Sequence, residues 1–180
     1  MKKIFLLLLA LICIQVVYAQ KTVGDPVKTK DKFLSEKQVK DKLIGTWVLI
    51  LVDNILPDGS RTKPYGENPQ GILMFDKDGN YSLQILRAGR AKFASGDKTK
   101  GTAGENKSLV LGSNSHFGKY FISADGATIT FRIEHAFFPN WEGAEQKRSF
   151  TLSDKEFSYT VPATTNGAGV SGEVVWRRGN

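Results

Sequence analysis

Only one of the 180 residues is cysteine, Cys13, and it falls within an apolar stretch at the start of the chain. With that stretch removed, no disulfide, thiol nucleophile or cysteine-ligated metal can form, so the domain must be held by its own core. Histidine is nearly as scarce. His116 and His135 stand without the acidic–histidine spacing of a ligand set, so neither a metal centre nor a cofactor is expected. No serine sits on a strand–turn–helix elbow, which leaves a serine hydrolase unsupported. Gly167-Ala168-Gly169-Val170-Ser171-Gly172 has dinucleotide-binding spacing, but it precedes a strand where that motif should open a helix, and it reads as a hairpin loop.

A long apolar run is also missing. Ile4 to Val17 is short for a membrane span. It follows Lys2 and Lys3 and ends at Val17-Tyr18-Ala19, the pattern of a secretory signal peptide cut after Ala19. Ile12 directly before Cys13 does not fit a lipoprotein signal. The expected product is secreted or periplasmic, with no integral membrane span once residues 1–19 are removed. Residues 20–32, polar and carrying Gly24 and Pro26, read as a flexible leader, and residues 33–180 as one domain. The net charge of +7 falls to +5 without Lys2 and Lys3. Much of the excess lies at Lys21, Lys28, Lys30, Lys32, Lys37, Lys40 and Lys42, with no base-reading motif nearby, so nucleic acid is not an expected partner.

What is present is a capping box, Ser35-Glu36-Lys37-Gln38, with Leu34 and Val39 as its hydrophobic staple. Val39 and Leu43 recur at helical spacing, which predicts a short helix running into Gly45. From there the pattern turns to strands broken by turns: Thr46 to Asp53, Gly71 to Phe75, Tyr81 to Arg87, His116 to Ser123, Ala127 to Ala136, Ala144 to Leu152, Glu156 to Val161 and Glu173 to Arg178. About eight strands joined in sequence predict an all-β, antiparallel up-and-down barrel, with a two-sheet sandwich as the competing architecture. Two stretches interrupt the series. Ala88 to Ser115 is too long for a hairpin turn. It holds the capping box Thr102-Ala103-Gly104-Glu105, then Leu109-Val110-Leu111 and a stop at Gly112, predicting a second short helix across one barrel end. The other is the aromatic loop Phe137-Phe138-Pro139-Asn140-Trp141-Glu142-Gly143, suited either to ligand contact at a rim or to packing over its neighbours.

Gly45-Thr46-Trp47, Asp58-Gly59-Ser60, Gly71-Ile72-Leu73, Asp78-Gly79 and Phe117-Gly118-Lys119-Tyr120 follow one another in a set order. Pro139-Asn140-Trp141-Glu142-Gly143, Arg148 and Val175-Trp176-Arg177-Arg178 continue it. In that order, from Leu43 to Arg178, the chain resembles the bacterial and fungal lipocalin-like domain family, which is distinct from the vertebrate lipocalins. The resemblance implies an eight-stranded, calycin-like barrel with an internal pocket. It implies that Trp47 plugs the closed end beside Gly45, and that Arg178, or failing it Arg177, packs across the indole as a cation–π contact. It further implies handling of a small organic molecule, by binding or by chemistry. Similar sequences often carry histidine in the strand that here reads Thr130-Phe131-Arg132-Ile133-Glu134, so no role for that histidine carries over.

Alternation gives the expected lumen. Ile129, Phe131 and Ile133 share a face that His135 continues; Phe150 and Leu152 share theirs with Gln146 and Arg148; Tyr81, Leu83 and Ile85 share theirs with Arg87. Arg87, Tyr120, His135, Trp141 and Arg148 are therefore the candidate ligand contacts, in a site for a small hydrophobic or amphipathic molecule. An inward arginine favours a carboxylate or another anion on the ligand; the alternative is that Arg87 and Arg148 pair with Glu105 or Glu134 to hold the barrel. The leading expectation is a ligand-binding barrel. An isomerase-, cyclase- or dehydratase-like enzyme with His135 as general base is the second, and an envelope scaffold for partners the third.

Overall fold

Ser35 caps a helix, α1 (Glu36–Leu43): its hydroxyl accepts from the Gln38 N–H, and the Gln38 side chain returns the bond to the Ser35 N–H. The helix buries only Val39 and Leu43, one turn apart, and delivers the chain to Gly45. The computed structural model describes residues 34–163 and 169–179, so the expected signal peptide and leader lie outside the described residues. The chain from Lys32 on forms a compact unit, with a core drawn from Val39 to Trp176.

The eight expected strands are all present. They are β1 (Gly45–Ile55), β3 (Gln70–Phe75), β4 (Asn80–Leu86), β5 (Ser113–Ile122), β6 (Thr128–Ala136), β7 (Glu145–Leu152), β8 (Glu156–Val161) and β9 (Ser171–Arg178), with a two-residue β2 (Arg61–Thr62) added at the edge of β1. Each pairs antiparallel with the next, and β9 returns to β1 with Trp47 opposite Arg178 and Ile55 opposite Ser171. The sheet is thus one closed cylinder, and the two-layer sandwich is excluded. The second expected helix is there too: α2 (Ala103–Leu111), capped by Thr102 and Glu105 and ended at Gly112.

An up-and-down order sends alternate connections to opposite ends. At one end lie three tight turns, residues 76–79, 123–127 and 153–155, together with α1. At the other lie longer connections: 56–69, which includes β2; 87–112, which includes α2; and 137–144, which includes the 3-10 turn Pro139–Trp141; β8 ends and β9 begins there too. The first end is shut by side chains. Trp47 is fully buried and its Nε1 donates to the Leu43 carbonyl at 2.8 Å. Its ring meets Phe157 at 5.8 Å, and Phe75 joins Phe157 and Tyr120 at 5.9 and 4.8 Å. The Arg178 guanidinium lies 3.9 Å over the Trp47 ring while donating to the Ile44 and Lys42 carbonyls. A Cβ at Gly45, whose φ is +122°, would press on that guanidinium at 3.3 Å.

Candidate functional site

Above this plug a cavity of about 360 Å³ opens. Its wall is apolar in depth, with Leu83 and Ile85 from β4, Phe131 from β6 and Val174 from β9, and Val161 of β8 stands nearer the open end. Inward positions along an antiparallel strand recur at every second residue, which is why these strands each give the lumen a pair or a single side chain. Its upper part is half-buried and mixed, formed by Asn54, Pro64, Tyr65, Asn114 and Trp141. The polar groups set into this wall converge from facing strands: Arg148 and Gln146 from β7, Tyr159 from β8 and His116 from β5.

Arg148 is 4% exposed. Its guanidinium donates to Gln146 Oε1 at 2.6 Å and to the Lys147 carbonyl at 2.8 Å. Burial pushes its pKa down from the ordinary value, and the phenols of Tyr159 and Tyr81 act against that shift. A guanidinium titrates so far above neutrality that it stays charged here. Among the described lining residues it carries the one full charge. Burial raises the pKa of both Tyr81 and Tyr159, so the two phenols are neutral hydrogen-bonding groups.

His116 is buried, with Nδ1 2.8 Å from the Tyr81 hydroxyl and its ring edge-on to Tyr81 and Trp141. Burial, helped by the charge of Arg148, lowers its pKa to about 4. The imidazole is therefore neutral near pH 7, with one nitrogen engaged by a phenol and its body on the cavity wall. A neutral imidazole–phenol pair can pass or accept a proton without creating a buried charge at rest.

The five residues chosen from sequence fall in different places. Arg148 and Trp141 line the cavity. Arg87 is not among the lining residues: its Nε and Nη2 donate to the Pro64 carbonyl at 3.1 and 2.7 Å, so it braces the 56–69 connection, which itself lines the cavity through Pro64 and Tyr65. Tyr120 does point inward, but near the closed end, where its hydroxyl donates to the Asp76 carbonyl at 3.2 Å and its ring packs on Phe75. It belongs to the plug. His135 is on the outer surface, its side chain 67% exposed and Nδ1 3.5 Å from Glu142 Oε1. The cause is a bulge. Gly118 pairs with Ile133 and Phe117 with His135, so Glu134 is an extra residue in β6 and every later side chain changes face. The expected general base is thereby excluded from the lumen, and so is pairing of Arg87 with Glu105, whose carboxylate is taken up by Thr102 and the Ala94 N–H.

His116 was the residue to find. It alternates with Gly118, Tyr120 and Ile122, which places it on the inner face of β5. Gly118 within a strand signals the bulge: a Cβ there would collide with the Arg132 carbonyl. Asn114 and Asn54 lie two residues from His116 and Val52 on the same alternating faces, whereas Tyr65 comes from a connection, where no periodicity marks it. Among the described residues, no three His, Cys, Asp or Glu side chains gather as a metal site would require, and no helix is long and apolar enough to cross a membrane.

A lipocalin-like protein from Bacteroides uniformis is 17% identical, its alignment covering 77% of this chain and 99% of that one, with a TM-score of 0.42. No curated protein matches the sequence. The profile of the lipocalin-like domain matches residues 44–179, from the residue before β1 to the last described one, and the chain belongs to that family.

Proposed function

We propose that the barrel binds a small, mainly apolar organic molecule that carries an acidic group, with Arg148 receiving the acid. The observation that carries this reading is a cavity of about 360 Å³ whose wall is apolar except for a few polar groups, with a buried guanidinium among them. That volume lies toward the lower end of the range for small-molecule sites. A guanidinium held in low dielectric binds a carboxylate through paired, charge-assisted bonds, while the aliphatic and aromatic wall takes the remainder of the molecule. The Gln146 amide fixes the guanidinium plane, and Tyr159 and His116 add neutral partners.

The test is native mass spectrometry of the chain from Lys32 on against matched pairs of medium-chain or aromatic acids and their methyl esters. Acids should bind at least about tenfold more tightly than esters, the scale of one charge-assisted bond, and Arg148→Met should erase the difference. Equal binding of acid and ester would sink the assignment. As an expectation from residues 1–19, we further propose that the protein acts after export, secreted or periplasmic. Detection of the chain beginning at Gln20 outside the cytoplasm checks it.

A second reading, catalysis in the same cavity, is favoured by His116, a neutral base on the cavity wall whose Nδ1 is held by the Tyr81 phenol. Isomerisation or dehydration of a small acid needs such a proton shuttle. His116→Gln would abolish turnover of a bound acid while leaving its affinity within about twofold; unaltered chemistry on every bound acid over long incubation excludes it.

A further inference from the structure

The connections at the two barrel ends differ in charge. The three tight turns carry Asp76, Asp78, Asp125 and Asp154 against Lys77 and Lys155, a net of −2. At the open end, 87–112 carries Arg87, Arg90, Lys92, Lys98, Lys100 and Lys107 against Asp97 and Glu105, a net of +4, which Glu142 of 137–144 reduces to +3 over that end's connections. All of these cations except Arg87 are exposed. Lys100 lies 3.7 Å from Asp97, and the Glu105 carboxylate is occupied in capping α2 and bonding Ala94.

Helix α2, which ends this connection, buries none of its residues. Its last turn nevertheless reads Leu109-Val110-Leu111, exposed by 38%, 54% and 57%. The neighbouring 137–144 connection also presents apolar side chains: the Phe137 N–H donates to the Ser115 carbonyl at 2.8 Å, and Phe137 and Phe138 are 44% and 48% exposed. Phe138 stands edge-on to Trp141, which lines the cavity. Exposed apolar side chains and lysines thus stand on two connections of the open end.

Apolar tips bordered by lysines suit a lipid–water interface: the tips enter the acyl boundary while lysine stems snorkel and place their ammonium groups among phosphates. We propose that the open end docks on an anionic lipid surface, with Leu109, Val110, Leu111, Phe137 and Phe138 inserted, Lys98, Lys100 and Lys107 on headgroup phosphates, and the cavity mouth facing the bilayer. The complementarity of charge selects an anionic surface, and projection of the side chains from two loops suits a deformable one. This docking needs no ligand in the lumen and does not depend on Arg148.

The experiment is flotation of the chain from Lys32 on with vesicles of phosphatidylcholine alone or mixed with phosphatidylglycerol. The protein should float with the mixed vesicles and be largely released by high salt, since exposed charges are screened. Leu109→Ser/Val110→Ser/Leu111→Ser and Lys98→Glu/Lys100→Glu/Lys107→Glu should each weaken partitioning by about tenfold or more, with cooperative melting kept. Met74→Ser, at an exposed apolar side chain on the barrel wall, and Arg148→Met should float as the parent does, so failure of the ligand reading leaves docking intact. No flotation with anionic vesicles, or flotation that survives either triple substitution, overturns the proposal. Concentration-dependent dimers abolished by the Leu109–Leu111 variant would assign the ridge to a second copy of the chain and overturn it equally.

Discussion

The two ends of this barrel are made from the same strands and do opposite things. At the closed end, turns of three to five residues hold the strands together, and Trp47, Phe75, Tyr120 and Phe157 pack around Leu43. At the open end the connections lengthen, the inward side chains become mixed, and about 360 Å³ stays unfilled. Stability is concentrated where the core is dense, and the capacity to accommodate something else sits where it is not. The two helices repeat the lesson. Both begin with a complete capping box, yet α1 buries Val39 and Leu43 against the plug while α2 buries nothing.

The largest expected effect lies in the plug. Trp47→Ala should cost about 3–5 kcal/mol in denaturant unfolding, the scale for removing a buried tryptophan, whereas Trp141→Ala at the rim should cost under about 1 kcal/mol. Equal costs would break the contrast between the ends. Next comes a pH effect seated in the cavity. The folded-state pKa of His116, about 4, lies below the ordinary 6.5, so the unfolded chain takes up the proton first. Stability is therefore full above pH 6.5 and declines as pH falls toward 4, by about 3 kcal/mol from this group alone. Thermal or denaturant melts across that window should show the slope, and His116→Gln should flatten it. An identical slope in the variant would remove His116 from the account.

Smaller still is Arg178→Met. It deletes the cation over Trp47 and two bonds to carbonyls that end α1, for a cost of about 1–2 kcal/mol in the same unfolding measurement. No measurable loss would show that the contact is only geometric. The smallest is the pair of cap deletions. Ser35→Ala should lower global stability by about 1 kcal/mol, because α1 is tied to the core, while Thr102→Ala should speed amide exchange within α2 and leave the global melt unmoved. A fall in the global melt on losing Thr102 would mean that α2 is packed more firmly than its exposure indicates.

Strand placement was legible because alternation and turn chemistry agree: Asp78-Gly79 before Tyr81, Asp125-Gly126 before Thr128 and Ser153-Asp154 before Glu156 are where the tight turns fall. Both helices were legible from their capping boxes. The lumen was legible only as far as strict alternation lasts. One extra residue, Glu134, carries His135 to the outside, and the only local mark of it is a glycine on the facing strand. Arg148 and Trp141 could be picked out, one by alternation and one by the composition of its loop. Arg87, one residue beyond the end of β4, spends its guanidinium on the Pro64 carbonyl of a connection, and Tyr120 obeys the rule yet sits too low along the axis to reach the cavity. Depth within a cylinder is set by strand stagger, which a single sequence does not display.

The return of β9 to β1 has a practical corollary. Leu34 lies against Gly126 in a closed-end turn, and the Gly179 N–H donates to the Thr46 carbonyl at 2.7 Å, so both limits of the folded body leave from the base, opposite the opening. A tag, label or immobilising tether fused at either limit would hold the cup upright, its lip unobstructed. Joining those limits and recutting the chain at Asp125-Gly126 would give a permuted version with the same interior.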